Sequence, residues 1–244
     1  MNARLISSPP KSCFSLHQRP LAGALFCASL ALLLGMPQPS RAALATAKQP
    51  MQSQYISVGQ DVERVTAWVR ATGNHQGQPF AVIDKKSAML HVFDAAGTRR
   101  GSSPVLLGLA VGDDSVPGIG TRKMSDIRPA ERTTPAGRFA SEPGRNLQGE
   151  DIVWIDYDAA ISMHRVRASN KADQRLERLA TPTAADNRIS YGCVNVPAAF
   201  YDAFVKPVFG VKPAVVYVLP ETRPVRTLLG LADGTAGQLL AATT

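Results

Sequence analysis

The segment NRISYGCVNVP, Asn187–Pro197, carries a cysteine, Cys193, between a glycine and a short apolar run. Glycine lets the backbone take a positive φ or approach a ligand closely, so the amides of Gly192 and Cys193 are candidates for an oxyanion hole. Proline is tolerated at the first position of a helix, so Pro197 predicts a helix over PAAFYDAFV. The N-terminus of that helix would favour a thiolate by roughly 0.3–1 kcal/mol if exposed.

The first 42 residues predict a signal peptide, and hence an exported, periplasmic protein. A basic leader without acidic residues precedes the uncharged apolar run LAGALFCASLALLLGM, and small residues follow it. Cleavage removes Cys13 and Cys27 and leaves Cys193 alone. Exported compartments are oxidising, so an unpaired cysteine there is a reactive thiol, an intermolecular bridge or a buried inert residue.

Composition narrows the class of partner. Residues 43–244 hold 23 basic and 19 acidic residues, a net charge of +4, and aromatic residues make up 6% of the whole chain. With no lysine run and few aromatic residues, nucleic acid is not expected as a partner, whereas a polyanionic wall polymer is compatible. The apolar run is short for a membrane span, so none is expected after cleavage. No metal cluster or phosphate-cradling glycine loop is visible, and no cofactor is expected.

The pattern along the chain predicts a mainly β fold with a few short helices. Residues 43–77 are expected to be a linker followed by a short helix over 61–71, whose apolar stripe is packing and not a ligand site. Residues 78–220 form the expected domain, with a further short helix over 173–180, and residues 221–244 are expected to be a mobile tail. Seven runs within the domain predict strands: FAVIDKK, AMLHVFD, SPVLLGLAVG, TTPAGRFASE (a turn that leads into a strand), DIVWIDYD, AAISMH and AVVYVLP.

A nucleophilic cysteine needs a base, and three histidines remain beyond residue 42. His75 lies in a polar loop and is expected to be solvated, and His91 has the position of a half-exposed strand residue. His164 ends a strand, where it can reach the edge of a site. All three precede Cys193, whereas papain-like enzymes place the histidine after the cysteine, so that class fits poorly. Together these signals suggest a cysteine acyl transferase, although a strand-end histidine alone is more often structural.

The chain resembles the catalytic domain of the L,D-transpeptidase (YkuD) family over about residues 78–220. The family motif is a histidine, a spacer, then Ser/Thr, a variable residue, Gly, Cys, an apolar residue and Asn or Arg. Here the segment Ser190–Asn195, SYGCVN, follows His164. The upstream segment TTPAGRF matches the Thr-Pro-x-Gly-x-Phe element of the family, and FAVIDKKSAMLHVFD matches its opening hairpin.

The resemblance implies a β-sandwich-like domain and a cysteine-dependent acyl transferase that acts on peptidoglycan stem tetrapeptides. Cys193 would attack the L-centre of diaminopimelate, release D-alanine and form a thioester, which the side-chain amine of a second stem, or water, would resolve. His164 would be the general base, oriented by the backbone carbonyl of Arg165. The amides of Tyr191, Gly192 and Cys193 would stabilise the oxyanion, and the loop would be shaped by Ser190 and Asn195. The resemblance also implies acylation by carbapenem-type β-lactams.

The sequence departs from the family pattern in two places. Twenty-eight residues separate His164 from Cys193, more than in most members, and the excess within 165–189 is a candidate lid. Tyr191 stands where a histidine is common, and Arg165 replaces a commonly small residue. Arg165 and Arg167 are candidate ligands of substrate carboxylates, with solvated surface charge as the favoured alternative.

Three functions remain open from the sequence: an L,D-transpeptidase, an L,D-carboxypeptidase or other hydrolase with the same site, and a non-catalytic wall-binding protein. Groove shape selects the acceptor, so the sequence does not separate the first two. A sortase-like enzyme fits less well because it needs an arginine in a strand shortly after the cysteine. The next arginine after Cys193 is Arg223, beyond the last predicted strand.

Overall fold

The computed structural model describes residues 49–230, with side chains from residue 59 onward. This part of the chain is mainly β with a few short helices, which confirms the predicted fold class. The strands are β1 (Phe80–Asp84), β2 (Met89–Phe93), β3 (Arg99–Pro104), β4 (Leu107–Gly108), β5 (Gly137–Arg145), β6 (Asp151–Asp156), β7 (Ile161–Arg165), β8 (Arg188–Ser190), β9 (Val194–Val196) and β10 (Ala214–Val218).

Helices flank these strands. They are α1 (Gln49–Thr72), α2 (Arg175–Ala180), α3 (Ala198–Phe200) and α4 (Lys206–Phe209), and a π-helical segment over Tyr201–Val205 joins the last two. No helix within residues 49–230 combines the length and the apolar character needed to cross a bilayer. The signal peptide predicted for residues 1–42 lies outside the described residues.

Eight strands form one sheet in the order β3-β2-β1-β10-β5-β6-β7-β9. The pairs β1/β10 and β7/β9 are parallel, and the other neighbours are antiparallel. The chain that leaves β3 reaches the opposite edge, where Leu106 and Asn195 exchange two backbone hydrogen bonds of 2.9 Å. The sheet is therefore nearly closed on itself, and a short parallel pair, β4/β8, lies beside this junction.

The main core lies inside the curled sheet, where strands from its two halves face each other. It includes Ile83, Leu90, Val153, Met163 and Val216. Alternation along each strand explains this placement, because every second side chain points inward.

A second core lies between the outer face of the sheet and α1. Val62, Val65 and Val69 of α1 pack there with Phe80 and Tyr217. The apolar stripe predicted for residues 61–71 is therefore packing, as expected. Gly73 ends the helix with a φ of 64°, the left-handed conformation that favours glycine after a helix.

Several expectations need correction. Helix α1 begins at Gln49, inside the predicted linker; this polar stretch lacks a readable apolar period but contains good helix formers. The run SPVLLGLAVG does not form one strand, because β3 ends at Pro104 and β4 is separate. The predicted tail is ordered as far as residue 230, where Val225 and Leu229 are buried in the second core. Residues 231–244 lie outside the described part.

His75 is also placed differently from the expectation of a solvated residue. Its side chain is buried, with Nε2 2.9 Å from the carbonyl oxygen of Ala95, and its ring packs at a tilt against Phe80. The burial could not be predicted from the polar residues around His75, because its partner, Ala95, lies twenty residues away in the sequence.

A buried ion cluster holds the segment after β10 against the rest of the domain. The ammonium of Lys85 is fully buried and lies 2.9 Å from Asp113 Oδ1 and 3.4 Å from Glu221 Oε1. Asp113 also accepts the backbone amides of residues 221–223, and Arg188 pairs with Glu221. These bonds explain why the segment after β10 is ordered, since buried charges persist only when paired and hydrogen-bonded.

Candidate active site

Strands β7 and β9 place the predicted base and nucleophile on the same part of the sheet. Ile161 and Met163 of β7 point into the main core, so Ser162 and His164 point to the other face. His164 is in parallel register with Asn195 of β9, and Cys193 immediately precedes β9. The pleat of one strand therefore presents its polar residues beside the cysteine.

The imidazole of His164 has a defined tautomer. Its Nδ1 lies 2.8 Å from the carbonyl oxygen of Arg165, which can only accept, so Nδ1 carries the hydrogen in the neutral ring. Its Nε2 is then left with a lone pair, and Asn195 Nδ2 approaches that atom at 3.5 Å. A neutral Nε2 in this state can accept a proton.

The thiol of Cys193 is partly buried and not part of a disulfide. Burial raises its pKa, but the neighbouring His164, followed by the amide and hydroxyl of Ser162, lowers it by more. The net pKa is below the ordinary value of a cysteine. The amide of Ser162 donates to Sγ at 3.5 Å, and its Oγ is 3.7 Å from Sγ. This environment favours the thiolate, which is the nucleophilic form.

The loop before Cys193 requires glycine at position 192. Gly192 has a φ of 124°, and a Cβ there would lie 2.7 Å from Thr133 O and 2.5 Å from the side chain of Ile161. The Gly192 amide donates to Ser190 Oγ at 3.0 Å, and Ser190 Oγ donates to the carbonyl of Cys193 at 2.6 Å. Ser190 thus closes the loop on itself.

These bonds bear on the three amides considered for an oxyanion hole. The amide of Gly192 already has an acceptor. The amides of Tyr191 and Cys193 have none among the described residues. Those two amides remain candidates for binding an oxyanion.

Thr134, from the TTPAG segment, holds the cysteine loop through hydrogen bonds. Its fully buried hydroxyl donates to Gly192 O at 2.8 Å and accepts the amide of Gly108 at 2.9 Å. Its own carbonyl accepts from the ammonium of Lys85 at 2.9 Å. The segment therefore connects the cysteine loop to the buried ion cluster.

Cys193 and His164 open into a cavity of about 410 Å³. One wall comes from residues 165–189, the segment expected as a lid, and contributes Ser169, Asn170, Asp173 and Arg175. Arg175 donates to Asn195 Oδ1 at 2.6 Å, so the wall contacts the site directly. The cavity is wide enough for a peptide-sized group.

The two arginines after the base both have acidic partners. Arg165 contacts Asp151 and Asp202 and stacks over the ring of Tyr201 at 4.4 Å. Arg167 pairs with Glu150 and also lines the cavity. Arg165 is thus engaged in structure, and Arg167 is the one of the pair that faces the cavity.

Tyr191, at the position where the resemblance led us to expect histidine, lines the cavity wall. The guanidinium of Arg132 lies 3.8 Å from the centre of its ring. This cation–π contact fixes the ring beside the thiol, so position 191 offers an aromatic surface and no second imidazole.

Sequence reasoning missed three contributors to the site. Ser162 is two residues before His164, and strand alternation was the available signal that both lie on one face. The contacts of Thr134 and Arg175 join residues far apart in the sequence; the TTPAG motif marked the segment that holds Thr134, whereas no local signal marks Arg175. Within residues 49–230, no group of three or more His, Cys, Asp or Glu residues is arranged to hold a metal ion.

Comparison with known proteins gives a limited result. No family model matches the chain, and no curated protein matches it significantly. A solved structure described as LD transpeptidase LdtMt1 in complex with imipenem aligns with 16% sequence identity and a TM-score of 0.33. The alignment covers 58% of this chain and 58% of that one, so the chain spans less than two thirds of the length of this structural neighbour.

Proposed function

We propose that this protein is a peptidoglycan L,D-transpeptidase that works through a thioester on Cys193. The observation that carries the proposal is the pairing of a thiol of lowered pKa with a histidine whose Nδ1 is committed to a backbone carbonyl. The motif resemblance over residues 190–195 and the TTPAG segment supports the substrate class. The mildly basic balance of residues 43–244 is compatible with an anionic wall polymer.

In the proposed first half-reaction, Nε2 of His164 takes the proton of the Cys193 thiol. The sulfur attacks the carbonyl carbon at the L-centre of diaminopimelate in a stem tetrapeptide. The amides of Tyr191 and Cys193 bind the developing oxyanion. When the carbon–nitrogen bond breaks, His164 returns the proton to the departing amine of D-alanine, and a thioester remains.

In the second half-reaction the side-chain amine of another stem attacks the thioester. His164 accepts a proton from that amine, the carbon–sulfur bond breaks, and the thiol is regenerated. Water in place of the amine gives a tripeptide, and the enzyme is then an L,D-carboxypeptidase. Residues 165–189 line the cavity beside the thiol, so the shape of this wall bears on which acceptor reaches the thioester. We place the protein in the periplasm, because the substrate lies there and residues 1–42 have the pattern of a signal peptide.

The test is mass spectrometry of tetrapeptide muropeptides incubated with the purified full chain, with Cys193→Ala beside it. Crosslinked dimers formed by the wild type alone support the transpeptidase. Tripeptides without dimers support the hydrolase instead and overturn the assignment of the acceptor.

A carbapenem adduct distinguishes an inert thiol from a missing acceptor. If muropeptides are unchanged but a carbapenem adds its mass to the Cys193 peptide, the thiol is activated and the substrate assignment is wrong. If neither reaction occurs, the non-catalytic wall-binding function replaces the proposal.

A further inference from the structure

Asn195 lies between the wall of the cavity and the base. Its side chain is 1% exposed, and it makes contacts on both sides. Its Oδ1 accepts from Arg175 Nη1 at 2.6 Å, while its Nδ2 lies 3.2 Å from the carbonyl of Cys193 and 3.5 Å from His164 Nε2. The amide thus links α2, through Arg175, to the catalytic pair.

Arg175 fixes which way this amide points. A guanidinium has only donors, so it must face the oxygen of Asn195 and not the NH₂ group. If the amide were rotated, its NH₂ group would face the donors of the Arg175 guanidinium, and Oδ1 would face the carbonyl oxygen of Cys193. Arg175 is itself oriented by Asp173, whose carboxylate accepts from its Nε at 2.8 Å.

The fixed orientation has a consequence for proton transfer. With its NH₂ group toward Nε2, Asn195 favours the neutral imidazole, which accepts a hydrogen bond there. It disfavours the imidazolium, which carries a hydrogen on the same atom. The thiolate of Cys193 forms by giving its proton to Nε2, so the same contact opposes the ion pair.

We propose that Arg175 is a positioning residue that acts through Asn195 on His164. With residues 165–189 against the site, this contact keeps a larger fraction of the thiol protonated than the site would hold without it, although the net pKa of Cys193 stays below the ordinary value of a cysteine. The inference rests on the proposed function in taking the histidine as the base, and it adds a control of that base by the cavity wall. An anionic group of a bound substrate that draws the guanidinium away frees the amide to turn its oxygen toward the imidazolium.

Other charged and titratable groups lie near His164 and Cys193, and the variants that test the proposal leave all of them unchanged. His164 interacts with the charge of Glu150, which pairs with Arg167 on the cavity wall. The remaining groups are Asp173, which pairs with Arg175, and Tyr191 with the Arg132 guanidinium over its ring.

The experiment is the pH dependence of iodoacetamide alkylation at Cys193, read from the Cys193-containing peptide of the full chain. Arg175→Ala is expected to move the midpoint to lower pH by roughly 0.4–1 unit, the equivalent of one net hydrogen bond. Arg175→Lys keeps a donor and restores the wild-type midpoint in part. Arg178→Ala, on the same helix but bonded to the carbonyls of Asp173 and Asp186, leaves the midpoint unchanged.

A double-mutant cycle with Asn195→Ala separates this mechanism from a direct effect of charge. If Arg175 acts through the amide, its removal causes no further shift in the Asn195→Ala background. A shift that persists there, a midpoint that moves to higher pH, or no shift in the single variant overturns the proposal.

If Asn195→Ala fails to fold by near-ultraviolet circular dichroism, Arg175→Gln replaces it. Glutamine keeps a donor without a charge, so a midpoint near that of the wild type supports the amide, and one equal to Arg175→Ala overturns it. The alkylation assay needs no muropeptide. A positive result here together with inactive muropeptide assays therefore rejects the proposed function and leaves this inference standing.

Discussion

The hydroxyl of Thr134 donates a 2.8 Å hydrogen bond to the carbonyl oxygen of Gly192, and both groups are buried. This bond joins the two sequence elements that carry the family resemblance, the TTPAG segment and the cysteine loop. Their co-occurrence in the chain therefore has a physical reason, because one element holds the backbone conformation of the other.

Replacing Thr134 by valine keeps its volume and removes that hydroxyl. The carbonyl of Gly192 and the amide of Gly108 would both lose their partner inside the protein, at a cost of about 1–3 kcal/mol for each. We expect a lower free energy of unfolding in urea and slower alkylation of Cys193. Thr134→Ser retains the hydroxyl and serves as the control; equal losses in both variants would contradict this role.

Gly192→Ala is expected to damage the site, since the added methyl group meets the backbone of Thr133 and the conformation at φ 124° excludes a side chain. The matched control is Gly149→Ala. Gly149 also has a positive φ, of 79°, but its missing side chain faces open space. We expect the first variant to lose the proposed acyl transfer and several kcal/mol of stability, roughly the cost of overpacking plus strain. The control loses only the strain, and comparable losses in activity would argue against a steric cause.

Lys85→Met tests the buried ion cluster. The substitution leaves Asp113 and Glu221 buried without their shared cation, which is expected to cost about 3–5 kcal/mol in urea unfolding. Lys86→Met removes a neighbouring lysine whose ion pair with Asp61 is partly exposed, and we expect a change below about 1 kcal/mol. A small effect at Lys85 would mean that the cluster is not what holds residues 221–223 in place.

The lowered pKa of His91 makes the stability of the folded protein depend on pH. Burial first, and the positive charge of Arg99 second, lower its pKa from 6.5 to about 4. The folded protein therefore binds fewer protons than the unfolded chain between these values, so stability is full above pH 6.5 and falls as the pH approaches 4. Urea unfolding from pH 7.5 to 4 should show a shallower loss for His91→Gln than for the wild type. Parallel curves would exclude His91 as a source of the slope.

The strands and their faces could be predicted because alternation is local. The run Ile161–Arg165 has that pattern, while Phe80–Asp84 is a short apolar run buried along its whole length, and both form strands. The closure of the sheet could not be predicted, because it depends on Leu106 meeting Asn195 across most of the domain. The burial of His75 could not be predicted for the same reason, since its partner is the carbonyl of Ala95 in another turn.

Within the site, the cysteine, the histidine and the required glycine could be proposed from the motif. The link from Arg175 to Asn195 could not, because the intervening segment has no periodicity that fixes where its helix lies. The packing of Val225 and Leu229 was missed because a few apolar residues in a polar stretch do not distinguish an ordered segment from a mobile one.

Asn195 joins the two edges of the sheet through its backbone and reaches the base through its side chain. Cys193 comes beside His164 only when β9 pairs with β7, so a chain that has not completed this part of its sheet holds a cysteine without that neighbour. Reactivity is in this way a property of the finished domain. The environment that lowers the pKa of Cys193 therefore exists only once β9 is in place in the folded domain.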